Sequence, residues 1–290
     1  MKTVKKLPFG QSKFEKIRTD NCKLCIVVLV LSLGILSGCV QRELPDLKIV
    51  QLCDPQLGFG INRYDDDVAR MKKAILRINE LAPDLVVIAG DLVDDVNNDE
   101  GVATFQQIIA QINPPVLLTP GNHDLPDPVT AAGLQRYHAR YGADFRVITC
   151  KGRYIISANS QMWREAPPEL HIQHERLLQK ALQKAKKKGQ PVVMLTHVPP
   201  FVASVDEVDE YFNLPKAKRD DVLRLCEENG VFLWLAGHTH RTFQRIHNQI
   251  TILNGETTSQ NFDGHQSGFR LLTVFSDQSF NWDFIVCEPD

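Results

Sequence analysis

The chain reads as an α/β protein of two facing mixed β-sheets with helices on their outer sides. Three observations predict it. Strand-like and helix-like segments alternate over the first two-thirds of the chain, short strands without room for helices follow, and five strand ends carry clusters of Asp, Asn, Gln and His.

Apolar, largely β-branched runs predict strands near 47–53, 84–89, 115–119, 153–158, 191–196 and 231–236. Helices are expected between them, near 66–81, 101–112, 130–141, 170–188 and 218–229. In the first of these, Val68, Met71, Ile75, Ile78 and Leu81 recur at the spacing of one apolar helix face. The run from Lys184 to Lys188 ends the fourth, where cations offset the helix dipole, and Asn229-Gly230 caps the fifth. From Thr242 onward come FQRIHN, ITILNG, FRLLTVFSD and FNWDFIV, which should pair antiparallel. No internal repeat or linker interrupts this order, so residues 47–290 are expected to form one domain.

The first 38 residues stand apart. A basic stretch with seven Lys or Arg is followed by an uncharged apolar run from Leu24 to Leu36 and then Ser37-Gly38-Cys39. That is the pattern of a secretory signal. Leu36–Cys39 resembles a bacterial lipobox, which would make Cys39 the lipidated N-terminus, 39–46 a short tether, and the protein a lipid-anchored member of the cell envelope. An uncleaved anchor is a second reading, because Leu24–Gln41 is just long enough to span a bilayer, and an internal hydrophobic segment is a third. Without residues 1–38 the chain holds 26 basic against 33 acidic residues, a net charge of about −7, and no basic stripe. A dedicated nucleic-acid binder is excluded on that ground. Of seven cysteines, Cys53, Cys150, Cys226 and Cys287 lie beyond Cys39, too scattered for a zinc knuckle, with one or two disulfide pairs left open. Cys53 is expected to be a buried core thiol.

The chemistry lies in Asp54-Pro55-Gln56, Gly90-Asp91, Gly121-Asn122-His123-Asp124, Thr196-His197 and Gly237-His238-Thr239-His240. Each follows a predicted strand, and ligands of α/β proteins gather beyond the carboxyl ends of strands. A lone Asp here reads as a turn or cap residue. Five decorated strand ends together read as carboxylate, amide and imidazole ligands converging on hard divalent metals, enough for two.

The order D-x-Q, GD, GNHD, H, GHTH resembles the calcineurin-like metallophosphoesterase superfamily over residues 47–290, and more closely its branch with Asp-Pro-Gln as first motif. Asn159-Ser160-Gln161 and the segment from His197 to Leu214 are similar to that branch as well. The resemblance implies the family's four-layer α/β/β/α sandwich. It further implies that Asp54, Gln56, Asp91 and His240 hold a first metal, and that Asp91 bridges to a second held also by Asn122, His197 and His238. A hydroxide between the ions would attack phosphorus, His123 would stabilise or protonate the leaving oxygen, and Asp124 would orient His123. Gln56 stands where most members have His. An amide oxygen is the harder ligand, so Mn²⁺ is expected first, with Mg²⁺, Zn²⁺ and Fe as alternatives.

The expected function is hydrolysis of small phosphate monoesters by a monomer. Phosphodiester hydrolysis of cyclic nucleotides or glycerophosphodiesters uses the same metals, and a lipoprotein that keeps the site without turnover is the rival of another class. The acidic segment Ser204–Asn213 is expected at the rim of the site, as a solvated loop or as a lid that disfavours polyanions. Arg63 is a further candidate for phosphate contact, and His138, His171, His174, His247 and His265 are expected at the surface.

Overall fold

The computed structural model describes residues 43–59, 64–164 and 166–288. The signal, the first half of the tether (39–42, with Cys39) and Arg63 lie outside the described residues. No helix among the described residues is long and apolar enough to cross a membrane.

Among the described residues eleven strands form two sheets. In the first, β1 (Leu47–Leu52), β2 (Leu85–Ala89) and β3 (Val116–Thr119) are parallel neighbours, and β10 (Gly268–Val274) and β11 (Phe280–Val286) extend it antiparallel beyond β1. In the second, β5 (Arg153–Ser157), β6 (Val192–Leu195), β7 (Val231–Ala236) and β9 (Ile250–Asn254) are parallel. Its edges are β4 (Arg146–Cys150) and β8 (Phe243–His247), both antiparallel to their neighbours.

Period-two alternation builds the layers. Leu47 and Ile49 of β1 join Leu85, Val87, Val193, Leu195, Leu233 and Leu235 in the core between the sheets. Val50 and Leu52 face the other way, onto α1 (Tyr64–Leu81) and α2 (Asp99–Ile109), with Met71, Ile75, Ile78 and Phe105. Nearby α3 (Ala131–Tyr141) contributes Leu134 and Tyr137 to the same cluster. On the second sheet, Ile156, Met194 and Trp234 meet Leu178 and Leu182 of α4 (Pro168–Lys187) and Val222 and Leu223 of α5 (Lys216–Glu228). The result is the expected α/β/β/α order. Within the sandwich, Gln51 Nε2 donates to the carbonyls of Ala236 (3.0 Å) and Leu253 (3.2 Å), and Ser157 Oγ donates to that of Leu118 (2.7 Å). These bonds lock the registers of β1 to β7 and of β3 to β5, bringing the carboxyl ends of both parallel sets to one rim.

Two features differ from the expected arrangement. The last four strands pair antiparallel as expected, in two hairpins, one per sheet, but β9 also runs parallel to β7. Strand β4, absent from the sequence reading, pairs with β5 through a turn at Lys151 (φ 44°) and Gly152 (φ 82°), the positive-φ pair that a tight hairpin needs. The described cysteines are all free, with Cys53 in the inter-sheet core as expected.

His174 is also corrected, from surface to core. It is buried on α4 between Phe145 and Trp163, and its Nε2 accepts from the Asn159 amide at 3.1 Å. Protonating that nitrogen would set two donors against each other, and burial lowers the imidazole to about 4 from its ordinary 6.5. The unfolded imidazole takes up its proton below about 6.5 and the folded one resists until about 4. Stability from this group is therefore full above the upper value and is lost as pH falls through the window, on the order of 2–3 kcal/mol. Thermal melts from pH 7 to pH 4 should show this loss, and His174→Gln should flatten the curve there. An unchanged slope in the variant would refute the assignment.

Candidate metal centre

The five motifs meet at the common rim, where the backbone is held in unusual shapes. Among the described residues nine non-glycine residues have positive φ. Five of them are Asp54 (44°), Gln56 (34°), Asp91 (48°), His238 (70°) and His240 (50°). Such conformations cost of order 1–3 kcal/mol each and persist where the surroundings impose them, which is common at functional sites. The motif glycines allow close approach. A Cβ at Gly121 would collide with the Asp91 carboxylate, and one at Gly237 would stand 2.5 Å from Asp54 Oδ2.

Asp54 and Asp91 are buried, and His197 lies between them. His197 Nδ1 stands 3.5 Å from Asp54 Oδ1, and its Nε2 stands 3.2 Å from Asp91 Oδ2. The same Nε2 is 3.0 Å from Asn122 Oδ1 and 3.0 Å from His238 Nδ1. His240 Nε2 approaches Asp54 Oδ1 at 3.9 Å. Asp91 Oδ1 accepts from the His123 amide (2.9 Å), and Asp54 accepts from the His238 amide (2.9 and 3.0 Å).

Each imidazole has one nitrogen on a backbone carbonyl: His197 Nδ1 on Ala89 (2.7 Å), His238 Nε2 on Tyr211 (2.8 Å) and His240 Nδ1 on Gln260 (2.7 Å). The carbonyl fixes the proton on that nitrogen and turns the other lone pair inward, the usual support of a metal-binding histidine. The lone pairs of His197 Nε2 and His238 Nδ1 then face each other, an arrangement that needs a proton or a cation between them. Ligand atoms about 2.1 Å from one cation and at right angles stand about 3 Å apart, the spacing found here. Asp91, His197 and His238 together offer ligand atoms within 4.8 Å of one another. Gln56 Oε1 is buried without a hydrogen-bond partner, as a side-chain oxygen reserved for a cation would be. These residues fit divalent cations.

The electrostatics agree. Burial pushes the Asp54 carboxyl up to about 6, against the pull of the His197 and His240 charges. Burial and the nearby Asp91 charge raise Asp124 to about 7. Burial opposes ionisation of Asp91 as well, but the His197 charge and hydrogen bond outweigh it and hold this carboxyl well below the usual range. Burial lowers His197, yet Asp91 and then Asp54 overcome it and raise the ring to about 9. Burial and the His197 charge push His238 far below its ordinary value. Buried carboxylates balanced only by imidazoles make a site that is short of positive charge.

The sequence-predicted residues Asp54, Asp91, Asn122, His197, His238 and His240 are thus brought together, with Gln56 adjoining through its amide on the Asp91 carbonyl (2.7 Å). The expected role of Asp124 is corrected. Its two oxygens accept from the Leu92 amide (3.0 Å) and the Gly121 amide (2.7 Å), bracing the loops after β2 and β3. The partner of His123 is Asp94, whose carbonyl lies 2.6 Å and whose carboxylate lies 3.4 Å from His123 Nδ1. Asp94 Oδ1 also accepts from Gln56 Nε2 at 3.1 Å, turning Gln56 Oε1 free. A carboxylate three residues after Asp91 was the available signal for this role.

Segment 204–213 is fastened down. Glu207 accepts from the amides of Val202, Ala203 and Ser204, and buried Arg219 donates to the carbonyls of Val205 and Glu207. It delivers Tyr211, whose hydroxyl accepts from Asn122 Nδ2 (3.1 Å) and whose ring covers His238. Phe59 and Phe262 flank His240, with centroids at 5.0 and 4.7 Å.

Residues 47–242 match the profile of the calcineurin-like phosphoesterase family. The zebrafish (Danio rerio) serine/threonine-protein phosphatase CPPED1 is 26% identical over 247 residues, covering 78% of this chain and 80% of its own. A probable glycerophosphodiester phosphodiesterase, GpdQ of Arcobacter nitrofigilis, is 27% identical over 230 residues, covering 73% of this chain and 78% of its own. Among solved structures, a dimetal phosphatase from Danio rerio superposes with a TM-score of 0.60 at 14% identity, covering 83% of this chain and 99% of that one, a likeness of fold. With the profile spanning more than half of its length, the chain belongs to the calcineurin-like phosphoesterase family and is a metallophosphoesterase.

Proposed function

We propose that the protein hydrolyses phosphate monoesters, using two divalent cations held by Asp54, Gln56, Asp91 and His240 on one side and by Asp91, Asn122, His197 and His238 on the other. The observation that carries this reading is the set of inward lone pairs on three carbonyl-anchored imidazoles, beside buried Gln56 Oε1. When bound, the cations supply Lewis acidity at the phosphoryl oxygens and an activated water as nucleophile.

The chain's own residues do the rest. Asp91, between His197 and the His123 amide, is placed to serve both cation positions. His123 keeps its Nδ1 proton on Asp94 and delivers a proton from Nε2 to the leaving oxygen. Tyr211 and the Phe59–Phe262 pair screen the imidazoles from water. The monoester preference is supported by the relatives named as phosphatases, while the acidic rim opposes polyanions such as nucleic acid. The relative named as a probable glycerophosphodiester phosphodiesterase favours diesters as the second reading. Placement in the cell envelope, through Cys39, is part of the proposal and rests on Leu36–Cys39.

The test is a metal-stripped protein reloaded with Mn²⁺, Mg²⁺, Zn²⁺ or Fe²⁺ and assayed on p-nitrophenyl phosphate and bis-p-nitrophenyl phosphate. Mn²⁺ is expected to restore the most activity, because the Gln56 amide is a hard ligand. The monoester is expected to lead by about tenfold or more in kcat/KM, a difference of roughly 1.4 kcal/mol in barrier. Faster diester turnover would overturn the monoester reading, and stoichiometric iron with no response to Mn²⁺ would overturn the metal assignment.

A further inference from the structure

Beside the candidate metal centre lies a cleft of about 300 Å³ that has Asn122 and His123 in its lining. Leu125, Pro126 and Val129 supply an apolar wall, with exposed Asp127 beside them. Opposite polar chemistry comes from Gln161, Arg164 and Tyr211.

Gln161 sits in a short 3₁₀ turn, Ser160–Trp163, its amide fixed on Asn159 Oδ1 at 3.0 Å. Its side chain is only 7% exposed, and Nε2 has no hydrogen-bond partner among the described residues. A buried donor left unmade costs about 1–3 kcal/mol, which an acceptor on a ligand would remove. Arg164 follows the same turn, its amide on the Gln161 carbonyl at 3.2 Å. Its guanidinium lies over the Tyr211 ring, 5.3 Å from the centroid, and among the described residues it forms no ion pair. Tyr211 in turn is bonded to Asn122, so the stacked guanidinium is held one side chain away from the metal centre. The family chemistry described above uses neither Gln161 nor Arg164.

We propose that this cleft receives the leaving-group end of the substrate, and that Gln161 and Arg164 recognise there one anionic oxygen group, a carboxylate or a second phosphoryl group. Its placement as a leaving-group site rests on the phosphoesterase reading, since His123 marks that side of the reacting phosphorus. A planar guanidinium stacked on an aromatic ring and joined by an amide donor is suited to a compact oxyanion. The apolar wall takes the carbon skeleton. Asp127, with the acidic residues Asp209 and Glu210 that share Arg164 in the neighbouring hollow, disfavours more than one such charge. A site built around buried hydrogen-bonding groups discriminates strongly against an analogue that lacks the matching group.

The experiment compares phenyl phosphate, 3-carboxyphenyl phosphate and 1,3-phenylene bisphosphate on the Mn²⁺-loaded full chain. In parallel, ligand-observed NMR measures binding of 3-hydroxybenzoate and phenol, which requires no turnover. The wild type should favour one of the anionic esters by about tenfold or more in kcat/KM, mainly through KM, and the favoured one identifies the group. Arg164→Ala should bring that ratio towards one and abolish the preference for 3-hydroxybenzoate over phenol, and Gln161→Leu should reduce the ratio several-fold. If no ester is hydrolysed but 3-hydroxybenzoate still binds in an Arg164-dependent way, the cleft assignment stands and the phosphoesterase reading falls. The proposal is overturned if the wild type shows no preference and 3-hydroxybenzoate binds it and Arg164→Ala alike. It is equally overturned if Arg164→Ala slows all three esters by the same factor, since the guanidinium would then serve the reacting phosphoryl group.

Discussion

Asp91→Asn is expected to lower kcat for phosphate esters by about three orders of magnitude, the largest effect of any single substitution proposed. Asp91 is buried, its Oδ2 lies 3.2 Å from His197 Nε2, and its Oδ1 accepts from the His123 amide. The amide of Asn has nearly the same shape but no charge, and only one of its two ends can face a cation. The fold should survive, because the Gly121 close approach and the Gln56-to-Asp91 backbone bond do not depend on the lost charge. Metal analysis should show fewer ions per chain than the two expected for the wild type, and added Mn²⁺ should raise the melting temperature of the wild type but not of the variant. Activity within a few-fold of wild type, at full metal content, would remove Asp91 from its proposed place between the two cations.

The second large effect belongs to His123→Ala, for which kcat on alkyl phosphates should fall about 10²- to 10³-fold while metal content stays at the wild-type value. The leaving group makes the test specific. An alkoxide is a strong base and needs a proton as the P–O bond breaks, whereas p-nitrophenolate leaves without one. The loss should therefore be much smaller on p-nitrophenyl phosphate. Asp94→Ala should show the same leaving-group dependence at smaller amplitude, since it removes the carboxylate 3.4 Å from His123 Nδ1 but leaves the backbone carbonyl that also holds the ring. Asp124→Ala should act differently, on stability and on both substrates alike, because its carboxylate braces the Leu92 and Gly121 amides. An equal loss on alkyl and aryl esters in His123→Ala would sink the proton-donor role.

Much of this site could be read before any coordinates. Strands β1, β2, β3, β6 and β7 are short buried runs whose apolar composition marks them, and each is followed within a few residues by its ligand-type side chain. Strand β4 was missed because it is only half-buried, so its composition mixes polar and apolar residues and carries a weak pattern. The parallel pairing of β9 with β7 was missed for another reason: β8 returns along the sheet edge, and hydrogen-bond direction leaves no mark on side-chain composition.

The alternation of elements, the two-sheet class and the identity of the side chains that end the strands all follow from the order of amino acids. Local hydrophobic period and side-chain chemistry encode those features. Tertiary structure alone decided which nitrogen of each imidazole faces inward, that Asp94 and not Asp124 supports His123, that His174 is core, and that Gln161 and Arg164 border the site. The partners in these decisions are mostly backbone carbonyls and amides of Ala89, Gln260, Tyr211 and Asn159. Every residue carries the same carbonyl, and nearly every one the same amide, so the sequence cannot signal which of them the packed sheets will bring within 3 Å of a ring nitrogen.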